Sequence, residues 1–327
     1  MNKIAIAIHG GAGQNSEFIE ANYDGYMESL KTAIERGYEL LIGGASALDV
    51  VEATVRILED DPLFNAGRGS ALNSEGKVEM DAAIMNGSTL AAGGVSMVTK
   101  VKNPISLARK VMSNTKHVHL AGYGALKLAE LNGLELMPDD YFVVERQLND
   151  LKEEKSYGHG TVGCVALDAR GNMAAATSTG GLTNSLPGRV GDSCVIGAGC
   201  YANAHCASSC TGDGELIIIN VIAHRVSSLI ELKGMQLQEA CDHVIRNIDN
   251  PINGDVGMIS VDAHGNVGFS FNCDRMHRAC IDYTGELMVD IYQPDSMLRP
   301  EKPSDDSYRI EGDEENEDDK RIENGSL

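Results

Sequence analysis

Positive charge is scarce in this sequence. Its 327 residues carry 27 Lys and Arg against 48 Asp and Glu, a formal net charge of −21 at pH 7. A phosphate backbone or an anionic membrane attracts clustered Lys and Arg, so neither nucleic acid nor membrane is an expected partner. Long apolar runs are missing too. The longest, residues 216–223, falls well short of the roughly 20 residues a bilayer span needs, and the apolar segment at 4–8 is too brief for a secretory signal. A soluble, cytoplasmic protein is expected. A second C-x2-4-C pair to complete a zinc site is also absent, Cys206-x3-Cys210 being the one such spacing. The densest cluster, Cys194, Cys200, Cys206 and Cys210, lacks the spacing of structural zinc, so the eight cysteines are expected to be reduced thiols acting as small buried hydrophobes. Proline is sparse at eight, against 36 glycines, and so permissive a backbone implies tight turns and close approach of main chain to ligand.

The common catalytic signatures are likewise lacking: there is no Walker loop, G-x-S-x-G elbow, H-E-x-x-H or strand-bound G-x-G-x-x-G. His9-Gly10-Gly11-Ala12-Gly13 resembles an esterase oxyanion loop, but no elbow serine accompanies it.

What is present is periodic. Ile4, Ile6 and Ile8 alternate, so the chain opens with a strand that ends at His9-Gly10-Gly11-Ala12-Gly13. Met27, Leu30, Ile34 and Leu41 have helical spacing. A second helix starts at the capping box Ser46-x-x-Asp49, carries Leu48, Val51, Val55 and Leu58, and stops near Asp61-Pro62. Strands are expected over 79–85 and 94–101, and helices around 107–112 and 120–131. The charged stretch 149–156, running into Gly158-His159-Gly160, reads as an exposed linker. Beyond it, residues 162–172 and 256–266 align without gaps, each an apolar strand, an Asp-Ala-x-Gly-Asn turn and a second strand. Between the copies the pattern predicts a strand over 215–220 and two amphipathic helices, with Ile222, Val226 and Leu229 on one and Leu237, Cys241 and Val244 on the other. Neither half suffices alone and regular βαβ alternation is absent. The expectation is therefore one domain over residues 1–299, two antiparallel sheets packed together with helices outside. Residues 300–327 hold eleven acidic and four basic side chains and are expected to form a disordered tail. Truncation after Pro300 is expected to leave activity within a factor of about two, measured as kcat/KM, because solvated termini tolerate removal; a large loss would show that the tail docks.

Chemistry points to Thr161. A threonine hydroxyl is a poor nucleophile without an adjacent base, and no histidine is an obvious partner in the sequence. Cutting the Gly160–Thr161 bond would give Thr161 a free α-amine with an ordinary pKa of roughly 7.7–8.0, close to where a general base works best. Taken alone, Gly-Thr here reads more readily as a β-branched residue opening a strand.

Several motifs in order change that balance: His9-Gly10-Gly11-Ala12-Gly13, Phe64-Asn65-Ala66-Gly67, Gly160-Thr161-Val162-Gly163, Thr177-Ser178-Thr179-Gly180-Gly181, Gly188-Arg189-Val190-Gly191-Asp192-Ser193, Gly197-Ala198-Gly199-Cys200-Tyr201-Ala202 and Thr211-Gly212-x-Gly214-Glu215. Together they resemble the plant-type asparaginase/isoaspartyl peptidase family of N-terminal nucleophile hydrolases, over residues 4–293. The resemblance implies an αββα sandwich that cleaves itself between Gly160 and Thr161 into chains 1–160 and 161–327, which then pair and dimerise. It implies Thr161 as nucleophile and, through its amine, as base. It implies Thr179 as a hydrogen-bond partner of the nucleophile, Thr211 and Gly212 as the oxyanion hole, and Asn65 as the residue orienting the new amine. Arg189 and Asp192 would hold the substrate's α-carboxylate and α-ammonium, assisted by main-chain groups of Gly212 and Gly214. No catalytic cofactor is implied, but a structural sodium ion is, held by carbonyls of Leu58, Glu59, Asp61, Phe64, Ala66 and Arg68. The implied activity is hydrolysis of isoaspartyl dipeptides and L-asparagine through an aspartyl–Thr161 ester. Asp213 departs from the family pattern, where an uncharged or histidine side chain is common, and is expected to tune substrate preference. The rivals are a glycosylasparaginase-like amidase and a non-catalytic aspartate-binding relative of the same fold; retention of Thr161, Thr179 and Thr211 weighs against the second.

Overall fold

Strand β1 (Ala5–Gly13) is buried along its whole length, with Ile6 and Ile8 in one apolar cluster and Ala5 and Ala7 in another. A period-two strand does this when both faces of its sheet are covered. The structure, a computed structural model, describes residues 3–153, 160–246, 254–293 and 296–298. The expected disordered tail and the end of the expected linker lie outside the described residues.

After β1 come α1 (Glu17–Ala21), α2 (Tyr23–Ile42), α3 (Ala47–Asp60), β2 (Met80–Asn86), β3 (Ala92–Val98), α4 (Pro104–Asn114), β4 (His119–Ala121), α5 (Gly122–Leu131), α6 (Asp139–Phe142) and α7 (Glu145–Lys152). The second half adds β5 (Val162–Leu167), β6 (Met173–Thr179), β7 (Cys200–Ala202), β8 (Cys206–Gly212), α8 (Gly214–Asn220), α9 (Ile222–Lys233) and α10 (Leu237–Arg246). It closes with β9 (Val256–Asp262), β10 (Val267–Phe271), β11 (Arg275–Ile281) and β12 (Leu287–Tyr292).

Eight strands form one sheet in the order β12-β11-β1-β5-β6-β2-β3-β4, and four form a second in the order β10-β9-β8-β7. Pairing is antiparallel throughout except between β3 and β4, which run parallel. The outer face of the large sheet packs on α2 to α5 through Ile34, Val51, Val55, Leu107 and Val111. Its inner face meets the small sheet across Ala7, Ala83, Val165, Ala175, Val261 and Phe271. The small sheet's other face is covered by α8 to α10 through Ile217, Val226, Cys241 and Val244. This is the expected αββα layering. The many alanines on the inner faces leave little side-chain bulk between the sheets.

The duplicated segment occupies equivalent places, one hairpin in each sheet: β5–β6 and β9–β10. Each turn is organised by its aspartate. Asp168 Oδ1 accepts from Arg170 N and Asn172 N, and Asp262 Oδ1 accepts from His264 N and Asn266 N, at 2.8–3.0 Å. The Ser46 cap also holds, its Oγ accepting from Asp49 N at 3.2 Å.

Two expectations are corrected. Residues 215–220 are helical, in α8, although they are rich in β-branched side chains. The β8–β9 ladder ends at Gly212 and Val256, so no partner strand remains, and within α8 the only large apolar side chain fully buried is Ile217, with Ile219 73% exposed. β-Propensity yields to the missing neighbour. The start of the expected linker is helical as well, in α7. Its anchors are polar: Gln147 Nε2 donates to Gly69 O (2.8 Å) and Arg146 Nη1 to Leu63 O (3.1 Å), so no apolar period announces it. Strand β1 ends within the expected His9–Gly13 motif, at Gly13, after a bulge between His9 and Ala12.

Candidate active site

Thr161 lies immediately before β5, buried at 4% exposure, in the large sheet between β1 and β6. Its carbonyl is fixed from the β1 side: His9 Nδ1 lies 2.9 Å from Thr161 O and His9 Nε2 lies 2.8 Å from Ser209 Oγ. A carbonyl only accepts, so Nδ1 carries the proton and Nε2 accepts from Ser209. Burial holds His9 down to about 3, which keeps it neutral and makes it a strut rather than a base.

The carbonyl before Thr161 is held just as firmly. Gly160 O accepts from Asn65 Nδ2 and from Thr179 Oγ1, each at 3.0 Å. Asn65 is itself oriented by Ala71 N, which donates to its Oδ1 at 2.7 Å. Gly11 brings β1 against this peptide. Its φ is +113°, and a Cβ there would stand 3.0 Å from Gly160 Cα, so only glycine fits.

Gly160, Thr161, Thr179, Arg189, Asp192 and Gly212 line one narrow cleft. Its free space is about 10 Å³, room for about one water molecule. Gly160 also lines a second, far larger cavity of about 1040 Å³, which includes Asn65 and Asp213. The Gly160–Thr161 peptide therefore stands at the boundary between two spaces. Thr211 and Gly214 are buried and are not among the residues that line this cleft. Thr211 Oγ1 accepts from Ala12 N at 3.2 Å, leaving its own hydrogen free to donate. Gly212 has φ +121°, and a Cβ there would collide with Asp255 O.

Arg189 and Asp192 face the cleft but do not form an ion pair with each other. The Arg189 fork is taken by Glu215, with Nε to Oε1 at 2.9 Å and Nη2 to Oε2 at 2.7 Å. Asp192 is buried, its Oδ2 makes no hydrogen bond, and burial pushes its carboxyl up to about 7 against the opposing pull of Arg189. A buried carboxyl that lines a cleft and lacks a hydrogen-bond partner has the chemistry to receive a cation.

Sequence reasoning missed Asp81. Its carboxylate accepts from Gly191 N (2.9 Å) and Met97 N (3.0 Å) and thereby holds the loop carrying Arg189 and Asp192, while burial pushes it up to about 6. The available signal was a lone acid inside the apolar run 80–85. Ser209 and Thr177, 2.7 Å apart behind His9, gave no signal beyond their polarity in buried strands. Among the described residues, no cluster of His, Cys, Asp and Glu side chains could hold a metal, and no helix is long and apolar enough to cross a membrane.

Two sheets between helical layers, with a buried threonine opening a central strand beside a pocket, define the fold of an N-terminal nucleophile hydrolase. The comparisons name the family: the asparaginase family pattern matches residues 2–159 and 152–289, and this chain belongs to that family. It is similar to "Probable isoaspartyl peptidase/L-asparaginase 2" of Arabidopsis thaliana, at 41% identity over 88% of this chain and 99% of the relative. It is 43% identical to the isoaspartyl peptidase of Salmonella typhimurium, over 85% and 95%. It is 42% identical to the plant-type L-asparaginase of Pyrococcus horikoshii, over 91% and 98%.

Proposed function

We propose that this chain is a threonine amidohydrolase that cleaves β-aspartyl bonds, releasing L-aspartate from isoaspartyl dipeptides and from L-asparagine. The observation that carries this reading is the Gly160–Thr161 peptide, its carbonyl gripped by Asn65 and Thr179 beside the Arg189/Asp192 cleft. The same two donors suit a developing oxyanion when Thr161 Oγ attacks the Gly160 carbonyl carbon. In that step the C–N bond breaks, an ester forms, and the hydroxyl proton ends on the Thr161 nitrogen. Water then hydrolyses the ester, giving a Gly160 carboxylate and a free Thr161 amine. Before this cut the cleft is too small for an aspartyl group, which accounts for an inactive precursor.

In the processed enzyme the Thr161 amine takes the proton from Oγ as Oγ attacks the substrate's side-chain carbonyl. Thr211 Oγ and Gly212 N–H receive the oxyanion, and Thr179 hydrogen-bonds the nucleophile. The amine or ammonia leaves with a proton, and water releases aspartate from Thr161. Arg189 offers its remaining N–H groups to the α-carboxylate, and Asp192 takes the α-ammonium.

A sodium ion held by carbonyls of Leu58, Glu59, Asp61, Phe64, Ala66 and Arg68 fits this chain. The segment closes on itself, Arg68 N donating to Glu59 O at 2.7 Å and Phe64 N to Asp61 O at 3.2 Å. Each carbonyl keeps a second lone pair for a hard cation. The ion would stiffen the loop that carries Asn65 and take no part in acyl transfer. A cytoplasmic dimer of processed pairs completes the reading. Hydrolysis of β-Asp-Leu and L-asparagine by the processed protein, followed as aspartate release, tests it; no aspartate from either would refute it.

The pH profile is a further expected result. Asp192 must be ionised to hold an ammonium, and the Thr161 amine must be neutral to act as base. Both requirements fail as pH falls, through about 7 for Asp192 and near the ordinary amine value of roughly 7.7–8.0 for Thr161. Log kcat/KM, which reports the free enzyme, should fall with a slope approaching about 2 on the acid side. In Asp192→Asn the slope should drop to about 1; an unchanged profile would remove Asp192 from ammonium binding.

A further inference from the structure

The larger cavity contains a cation that no carboxylate among the described residues pairs with. Arg275, on β11, is only 6% exposed and lines the cavity. Its Nε donates to Gln14 O at 3.0 Å and its Nη1 lies 3.1 Å from His277 Nδ1. His277 accepts through Nδ1 and is therefore neutral, and burial together with Arg275 holds it well below the usual histidine range. Among the described residues no carboxylate pairs with Arg275, and its Nη2 is left without a partner. Burial and the nearby Arg146 push its own pKa down. A buried guanidinium near a second cation, with no carboxylate partner among the described residues, is costly to keep. Of the acids lining the cavity, Glu17 and Asp213 form no ion pair with it, and Asp255 is engaged by Gln14 Nε2 through both oxygens at 2.8 and 2.9 Å.

The position of this cavity gives the charge a use. Gly160 lines both spaces. If the aspartyl half of a substrate lies in the Arg189/Asp192 cleft, the departing half must leave over Gly160 into the larger cavity. The connection is short. A Cβ on Gly11 would stand 3.0 Å from Gly160 Cα, and one on the adjacent Gly10 would stand 3.3 Å from His277 Cβ. A volume of about 1040 Å³ exceeds what one leaving amino acid fills.

We infer that this cavity is the leaving-group subsite and that Arg275 recognises there the C-terminal carboxylate of a short isoaspartyl peptide. The inference rests on the β-aspartyl hydrolase reading. It makes β-aspartyl di- and tripeptides with a free C-terminus the preferred substrates over L-asparagine, whose leaving group is ammonia and cannot use the pocket.

Kinetics on β-Asp-Leu, β-Asp-Gly-Leu, their C-terminal amides and L-asparagine test it. Wild-type enzyme should prefer acid to amide at one length or both by about 10- to 100-fold in kcat/KM, the usual effect of a charge-assisted hydrogen bond. Arg275→Met should abolish that preference through KM, still cut itself before Thr161, and keep kcat/KM for L-asparagine within about threefold. Arg275→Lys should recover part of the preference. A wild-type acid-to-amide ratio near one at both lengths overturns the inference whether or not the variants fold, and leaves the functional reading intact. Equal losses on all substrates in a folded, processed Arg275→Met would also overturn it, by making Arg275 structural. Absence of aspartate release from every substrate overturns both.

Discussion

Thr161→Ala is expected to remain one full-length chain and to hydrolyse neither β-Asp-Leu nor L-asparagine. The hydroxyl serves twice, attacking first the Gly160 carbonyl and then the substrate, and the base exists only once the first attack has freed the amine. Removing Oγ therefore removes nucleophile and base together. The surrounding donors, Asn65, Thr179, Thr211 and the Gly212 N–H, cannot substitute for a bond-forming atom, so the loss should be about 10⁴-fold or more. His9 cannot take over as base, because burial holds it down to about 3 and both its ring nitrogens are already engaged. Thr161→Ser and Thr161→Cys keep a nucleophile and should cut slowly. A gel of aged protein beside an aspartate assay reads both effects.

Arg189→Ala separates substrate binding from chemistry. The guanidinium is mostly sheltered, with 17% of its side chain exposed, whereas Glu215 is 58% exposed. The Arg189–Glu215 pair itself thus contributes little to stability, and its role is to aim the remaining N–H groups into the cleft. Losing them should cost about 2–5 kcal/mol in kcat/KM, as when one partner of a desolvated charge pair is removed. Arg189→Lys should recover only part, because an ammonium cannot reproduce the planar fork. Self-cleavage uses no external substrate, so both variants should still yield two bands. Wild-type rates in a processed Arg189→Ala would make the residue a surface bridge to Glu215 and nothing more.

Much of this was legible in the sequence where local pattern and tertiary environment agree. The alternation of β1, the Ser46 cap of α3 and the twin Asp-Ala-x-Gly-Asn turns are each set by residues close in the chain. So are the glycines that allow main chain to approach Gly160. Reading failed where a distant neighbour decides. Residues 215–220 look like a strand and are helical because β8 has already ended. Helix α7 is hidden because its anchors are the polar side chains of Arg146 and Gln147. Strands β7 and β8 lie in a Gly-, Ala-, Ser- and Cys-rich stretch whose small side chains give no clear period. Within the site, Thr161, Thr179, Arg189, Asp192 and Gly212 come from motifs and converge on one cleft. Asp81 and Arg275 carry no motif. They become visible only when the fold shows Asp81 beneath the Arg189 loop and Arg275 buried with no carboxylate partner among the described residues.

The central claim is that activity belongs to a chain beginning at Thr161. Mass measurement of the purified protein under denaturing conditions, taken at intervals alongside aspartate release from β-Asp-Leu, tests it most directly. The expected result is conversion of the intact chain into two fragments, residues 1–160 and a second fragment starting Thr161-Val162-Gly163, with activity rising in proportion to the second. Full activity from a chain still intact across Gly160–Thr161, or cleavage at another bond in active protein, would contradict it.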